Sequence, residues 1–123
     1  MIFLLGLVAI SVAGTPHAQA GSAVAMERYH GNLATAYGGP MEREKQRALT
    51  NARRLYGPDV RIIAASDVRG FGAIAVAWNP SGHGSIIGIS LGKRSATEAY
   101  TSAIEKCVKA GGLKPQVKWA FWG

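Results

Sequence analysis

A capped amphipathic helix between Ser95 and Gly112, fed by a hairpin, constrains this chain more than any other stretch. Ser95-Ala96-Thr97-Glu98 spells a capping box: the Ser95 hydroxyl accepts from the Glu98 N–H while the Glu98 carboxylate reaches back. Such a cap contributes ~1 kcal/mol. At helical spacing Ala96, Ala99, Tyr100, Ala103, Ile104, Cys107 and Val108 share one face, and Gly111-Gly112 offers a left-handed stop. Upstream, strand Phe71–Trp78, the turn Asn79–Gly84 and strand Ser85–Leu91 form the hairpin. A helix of this kind must lie on a sheet.

The chain opens with an apolar run, Met1–Ala13, followed by Ala18-Gln19-Ala20. Small residues at those positions after a short apolar core are the layout of a secretory signal. Residues 1–20 therefore read as a signal peptide cleaved after Ala20, which leaves no stable membrane span and a secreted or periplasmic product. No Lys or Arg precedes the apolar run, so only the α-amino group charges its start. All charged side chains lie beyond Ala20, and the formal net charge is +7. That imbalance favours an acidic protein or an anionic envelope polymer as partner. Export argues against nucleic acid. Cys107 is the single cysteine, so no intrachain disulfide forms, and its place in the apolar arc makes it a buried small hydrophobe.

Residues 21–39 are rich in Gly, Ala and Ser with weak periodicity and read as a flexible arm, which leaves 40–123 as a single α+β domain. Gly39-Pro40 opens a helix with Pro at its first position. Over Met41–Tyr56 an apolar face collects Met41, Ala48, Leu49, Ala52, Leu55 and Tyr56, while Arg43, Arg47 and Arg54 line up opposite. The Arg stripe is either a solvated face or a docking strip for carboxylates or phosphates. Val60–Ala65 is a strand, and the short link Ser66–Gly70 favours an antiparallel return. Ala73, Ala75 and Ala77 then form a row that lets both helices approach one sheet face closely. In the last strand Val117, Trp119 and Phe121 alternate against Lys118, Ala120 and Trp122, so Lys118 and Trp122 share a face. The expected fold is α+β: a small, mostly antiparallel four-stranded sheet with two helices on one face, in the order α-β-β-β-α-β.

Ala48-Leu49-Thr50-Asn51-Ala52 echoes Ala99-Tyr100-Thr101-Ser102-Ala103, and Pro58–Ile62 echoes Pro115–Trp119. This is either a duplicated αβ unit flanking the central hairpin or a chance likeness of two helix-to-strand junctions.

Candidate chemistry is sparse. His30 and His83 lack metal-ligand spacing, so no cofactor or metal is expected. A cryptic hydrolase would need His83 with Ser81 or Ser85 and an Asp, without a strained nucleophile turn. No catalytic constellation is readable. Exposed aromatics and cations remain, with Trp122, Lys118 and the Arg stripe as the binding candidates.

Gly72-Ala73-Ile74-Ala75-Val76, the Gly-rich turn, Ser95–Ala99, Ala103, Cys107 and Gly111-Gly112 resemble an exported bacterial domain-of-unknown-function family. That family is marked by a Gly-Ala-Ile-Ala strand and an S-x-x-x-A helix running into a Cys and a Gly pair. The resemblance covers about residues 71–121 and implies a small secreted or periplasmic α+β domain with no assigned reaction. Members carry further cysteines after the Gly pair and near the C-terminus, where this chain has Leu113-Lys114-Pro115 and Trp119–Gly123. The family disulfide therefore does not transfer to Cys107. The resulting expectation is an exported binding domain, in one version an inhibitor or immunity-type protein for an envelope-active enzyme. The alternative is a module that binds an anionic envelope glycan.

Overall fold

A computed structural model describes residues 20–123 of the chain. The signal-peptide reading therefore falls outside the described residues except at Ala20. Six strands and two helices follow in the order β1 (Ser22–Glu27), β2 (Leu33–Tyr37), α1 (Met41–Tyr56), β3 (Val60–Ser66), β4 (Phe71–Trp78), β5 (Ser85–Lys93), α2 (Ala96–Lys109) and β6 (Leu113–Trp122). They make two antiparallel three-stranded sheets, ordered β2-β1-β3 and β5-β4-β6.

This overturns the single four-stranded sheet. Residues 21–39, read as an arm, supply β1 and β2, and the order is β-β-α-β-β-β-α-β. The link at 67–70 does not fold β4 back onto β3; β3 pairs with β1, and the chain crosses there to a second sheet. Each helix packs on its own sheet rather than both on the alanine row of β4.

The two halves share one topology, a ββαβ unit used twice. Ala23 and Ala25 of β1 face Ala48 and Ala52 of α1, as Ala73 and Ala75 of β4 face Ala99 and Ala103 of α2. The likeness extends to an irregularity. The β1–β3 register shifts between Val24 and Ala25, and the β4–β6 register shifts between Ile74 and Ala75. The repeated unit is thus larger than the helix-strand echo, and the hairpin belongs to its second copy.

Small side chains bring each helix close to its sheet. A Cβ on Gly88 would fall against the Ala103 carbonyl and 2.9 Å from the Cys107 nitrogen, so α2 lies almost on the β5 backbone. The capping box forms at Ser95, whose Oγ accepts from Glu98 N at 3.1 Å. Glu98 Oε1 accepts from Arg94 N at 3.2 Å, one residue further back than a standard box. At the other end Gly112 N donates to Cys107 O and Gly111 N to Val108 O, with Gly111 at φ 94°. This is the two-bond left-handed stop that a Gly pair permits. In α1, Pro40 is the N-cap rather than the first helical residue, and its carbonyl accepts from Glu44 N.

Helices occupy the outer faces of the sheets, and the remaining faces meet. Val24 and Ile74, which point away from the helices, are both fully buried. The Tyr37 and Phe121 rings stack across this layer with centroids 4.9 Å apart. Alanines form the buried centre of each helix–sheet seam, with larger side chains such as Leu49, Ile62, Phe71 and Ile86 flanking it. No helix among the described residues is long and apolar enough to cross a membrane.

Candidate functional site

The inter-sheet layer closes at the Tyr37–Phe121 end and stays open at the other. There Met26, Leu33, Val76, Ile87, Tyr56 and Trp119 line a cleft of about 590 Å³. That volume lies within the usual range of small-ligand sites. Met26, Val76 and Ile87 are only half-buried, and Trp119 is 53% exposed. Leaving an indole half in water forgoes much of the gain from burying it.

A bulge places Trp119 there. On β6, Val117 pairs with Ala75 and Trp119 with Ile74, so Lys118 occupies the skipped position. An extra residue reverses the alternation of faces. Val117 joins Phe71 and Ile86 against the α2 seam, while Trp119 and Phe121 turn to the inter-sheet side. The expected grouping of Val117 with Trp119 is therefore wrong, and Lys118 stands at the bulge itself. Trp122 pairs with Phe71 and meets its ring edge-on at 6.3 Å. The Arg69 guanidinium lies 4.1 Å from the Trp122 centroid.

The rim is basic. Two neighbouring depressions share Met26 with the cleft. One holds Arg28, Arg61 and Asp59, the other Ile63, Ile89 and Lys106. Asp59 raises the pKa of the Tyr29 phenol, first by a hydrogen bond and then by its charge. Lys106 Nζ donates to Ile89 O at 2.7 Å, which leaves two of its three donors for other partners.

His30 and His83 also border the cleft. The His30 imidazole lies 3.5 Å from Glu27, and the Asn79 side chain donates to the His83 carbonyl. Among the described residues no Ser or carboxylate is hydrogen-bonded to the His83 ring.

Glu27 holds the turn that carries Tyr29 and His30. Its carboxylate accepts from Tyr29 N at 2.8 Å, His30 N at 2.7 Å and Asn32 N at 3.2 Å. Burial alone would raise its pKa, but the backbone donors of Asn32, Tyr29 and His30 outweigh that and hold it below the ordinary value.

The Arg stripe is exposed but not idle. Arg47 Nη1 lies 2.6 Å from Oε1 of Glu44, and Arg43 Nη2 3.5 Å from its Oε2; Glu44 is fully buried. Arg54 contacts Asn51 at 3.5 Å. Glu44 stands in a charged stretch of the sequence but shares the buried helical row of Ala48 and Ala52. Cys107 is buried and free, with Sγ 3.3 Å from the Ala75 carbonyl. Desolvation raises its pKa despite an opposing hydrogen bond from Gly88.

Compared with family models, curated proteins and solved structures, the chain matches none. The cleft is thus read on its own chemistry.

Proposed function

We propose that this chain is a small exported binding domain that takes an anionic partner at the open mouth of the inter-sheet cleft. The observation that carries this reading is the half-exposed Trp119 in a partly apolar cleft, with Arg28, Arg61 and Lys106 in the two depressions that adjoin it. An indole beside half-buried aliphatics supplies contact area, and the cations supply attraction. Export is supported by the apolar Met1–Ala13 run, by Ala18-Gln19-Ala20 and by the resemblance of residues 71–121 to the exported Gly-Ala-Ile-Ala family. The motif also has a physical sense here. Gly72 makes room for the Phe121 ring, Ala73 and Ala75 admit α2, and Ile74 fills the layer between the sheets.

This reading moves the site away from the Arg stripe, where the Arg47 guanidinium is committed to Glu44. Affinity capture from envelope extract tests it, with wild type, Trp119→Glu and an Arg43→Glu/Arg54→Glu variant as parallel baits. The cleft reading requires a captured component lost with Trp119→Glu and kept by the stripe variant. The opposite pattern returns the site to α1.

A further inference from the structure

Resting on that reading, we propose that the cleft binds a free fatty acid, its acyl chain between the two sheets and its carboxylate at the basic rim. The walls decide the body of the ligand. Met26, Leu33, Val76 and Ile87 give the cleft a stretch of methyl and methylene surface, beside the polar side chains of Asn32, His83 and Ser85. An acyl chain laid on that aliphatic stretch covers apolar surface that the sheets leave open. Thioether and aliphatic side chains also adapt readily to a flexible chain.

The rim decides the head. Met26 belongs to the cleft and to both depressions beside it, so a chain lying along Met26 can end at Arg28 and Arg61, while Lys106 lies in the other depression. Asp59 shares the depression with Arg28 and Arg61, so there the guanidiniums outnumber the carboxylate two to one. The guanidinium fork suits a carboxylate, and the formal charge of +7 adds a favourable long-range field.

Calorimetric titration of the exported chain with octanoate, decanoate and dodecanoate, all below their micelle points, tests this. Each added methylene should tighten binding about fourfold, the factor equivalent to ~0.8 kcal/mol per buried CH₂. Dodecanol should bind about tenfold or more weakly than dodecanoate, the factor for a charge-assisted hydrogen bond. Arg28→Gln/Arg61→Gln should remove that preference and leave the chain-length series unchanged. Binding should shift the indole fluorescence, and Trp119→Phe should abolish the shift while affinity persists.

A flat chain-length series overturns the proposal. Tighter binding of lysophosphatidylglycerol than of a fatty acid of equal chain length also overturns it, in favour of a membrane lipid. Dextran sulfate separates the two readings. If the series is flat but dextran sulfate shifts the Trp119 signal, the cleft remains a binding site and only the fatty acid is wrong. If no probe perturbs Trp119, both readings fall together.

Discussion

The Cys107 thiol lies 3.3 Å from the Ala75 carbonyl, at the seam where α2 settles onto β4 and β5. Gly88 is the other half of that seam, since any side chain there would meet the α2 backbone. The counterpart position in the first sheet is Ala34, which pairs with Ala25 as Gly88 pairs with Ala75. Gly88→Ala should therefore cost about 1–3 kcal/mol by overpacking. Urea unfolding measures it, and a cost near zero would mean that α2 stands further from β5 than these distances say.

Cys107 itself should label slowly when native and rapidly when unfolded. It is buried, and its raised pKa keeps the thiolate scarce at neutral pH. Cys107→Ser should cost no more than about 1 kcal/mol, because the Ala75 carbonyl that accepts from the thiol can accept from a hydroxyl. Stopped-flow reaction with a disulfide reagent, with and without denaturant, is the measurement; fast native labelling would contradict the burial.

The second half of the fold is legible in the sequence because its signals are local. Ser95 and Glu98 cap α2, Gly111-Gly112 ends it, and the Ala99–Ala103–Cys107 row gives the buried face. The first half is not. Ser22–Ala25 is buried on both faces and so shows no alternation, and alanine is a poor strand former by itself. What holds that strand is the alanine seam with α1 and its pairing on both edges, neither of which is local. The cleft is hidden for a related reason. A single bulge at Lys118 decides which way Trp119 faces, and bulges of this kind carry no residue signature here.

Glu44 and Arg47 give a prediction that separates a structural arginine from a solvated one. Arg47→Met leaves a fully buried carboxylate without its 2.6 Å partner and should cost about 1–3 kcal/mol. Arg54→Met removes only a 3.5 Å contact to Asn51 at the surface and should stay within about 0.5 kcal/mol. Parallel urea titrations of the two variants decide it. Equal effects would mean that the Glu44 pairing contributes nothing to the fold.

Glu27 makes stability depend on pH in a defined direction. Its carboxylate is held below the ordinary value of 4.5 by the turn amides, so the folded state binds its proton less readily than the unfolded chain does. The stabilisation is therefore fully present above the unfolded pKa and is lost as pH falls through the depressed folded pKa. Glu27→Gln removes the charge and weakens the clasp on the Tyr29, His30 and Asn32 amides. Wild type should exceed this variant throughout the range from neutral pH down to about pH 5, the upper edge of carboxylate titration. Below that the two stability curves should converge. Thermal unfolding of both proteins at a series of pH values reads the margin directly. A gap that widens below about pH 5 would reverse the sign and place a protonated carboxyl, not a carboxylate, at the centre of the turn.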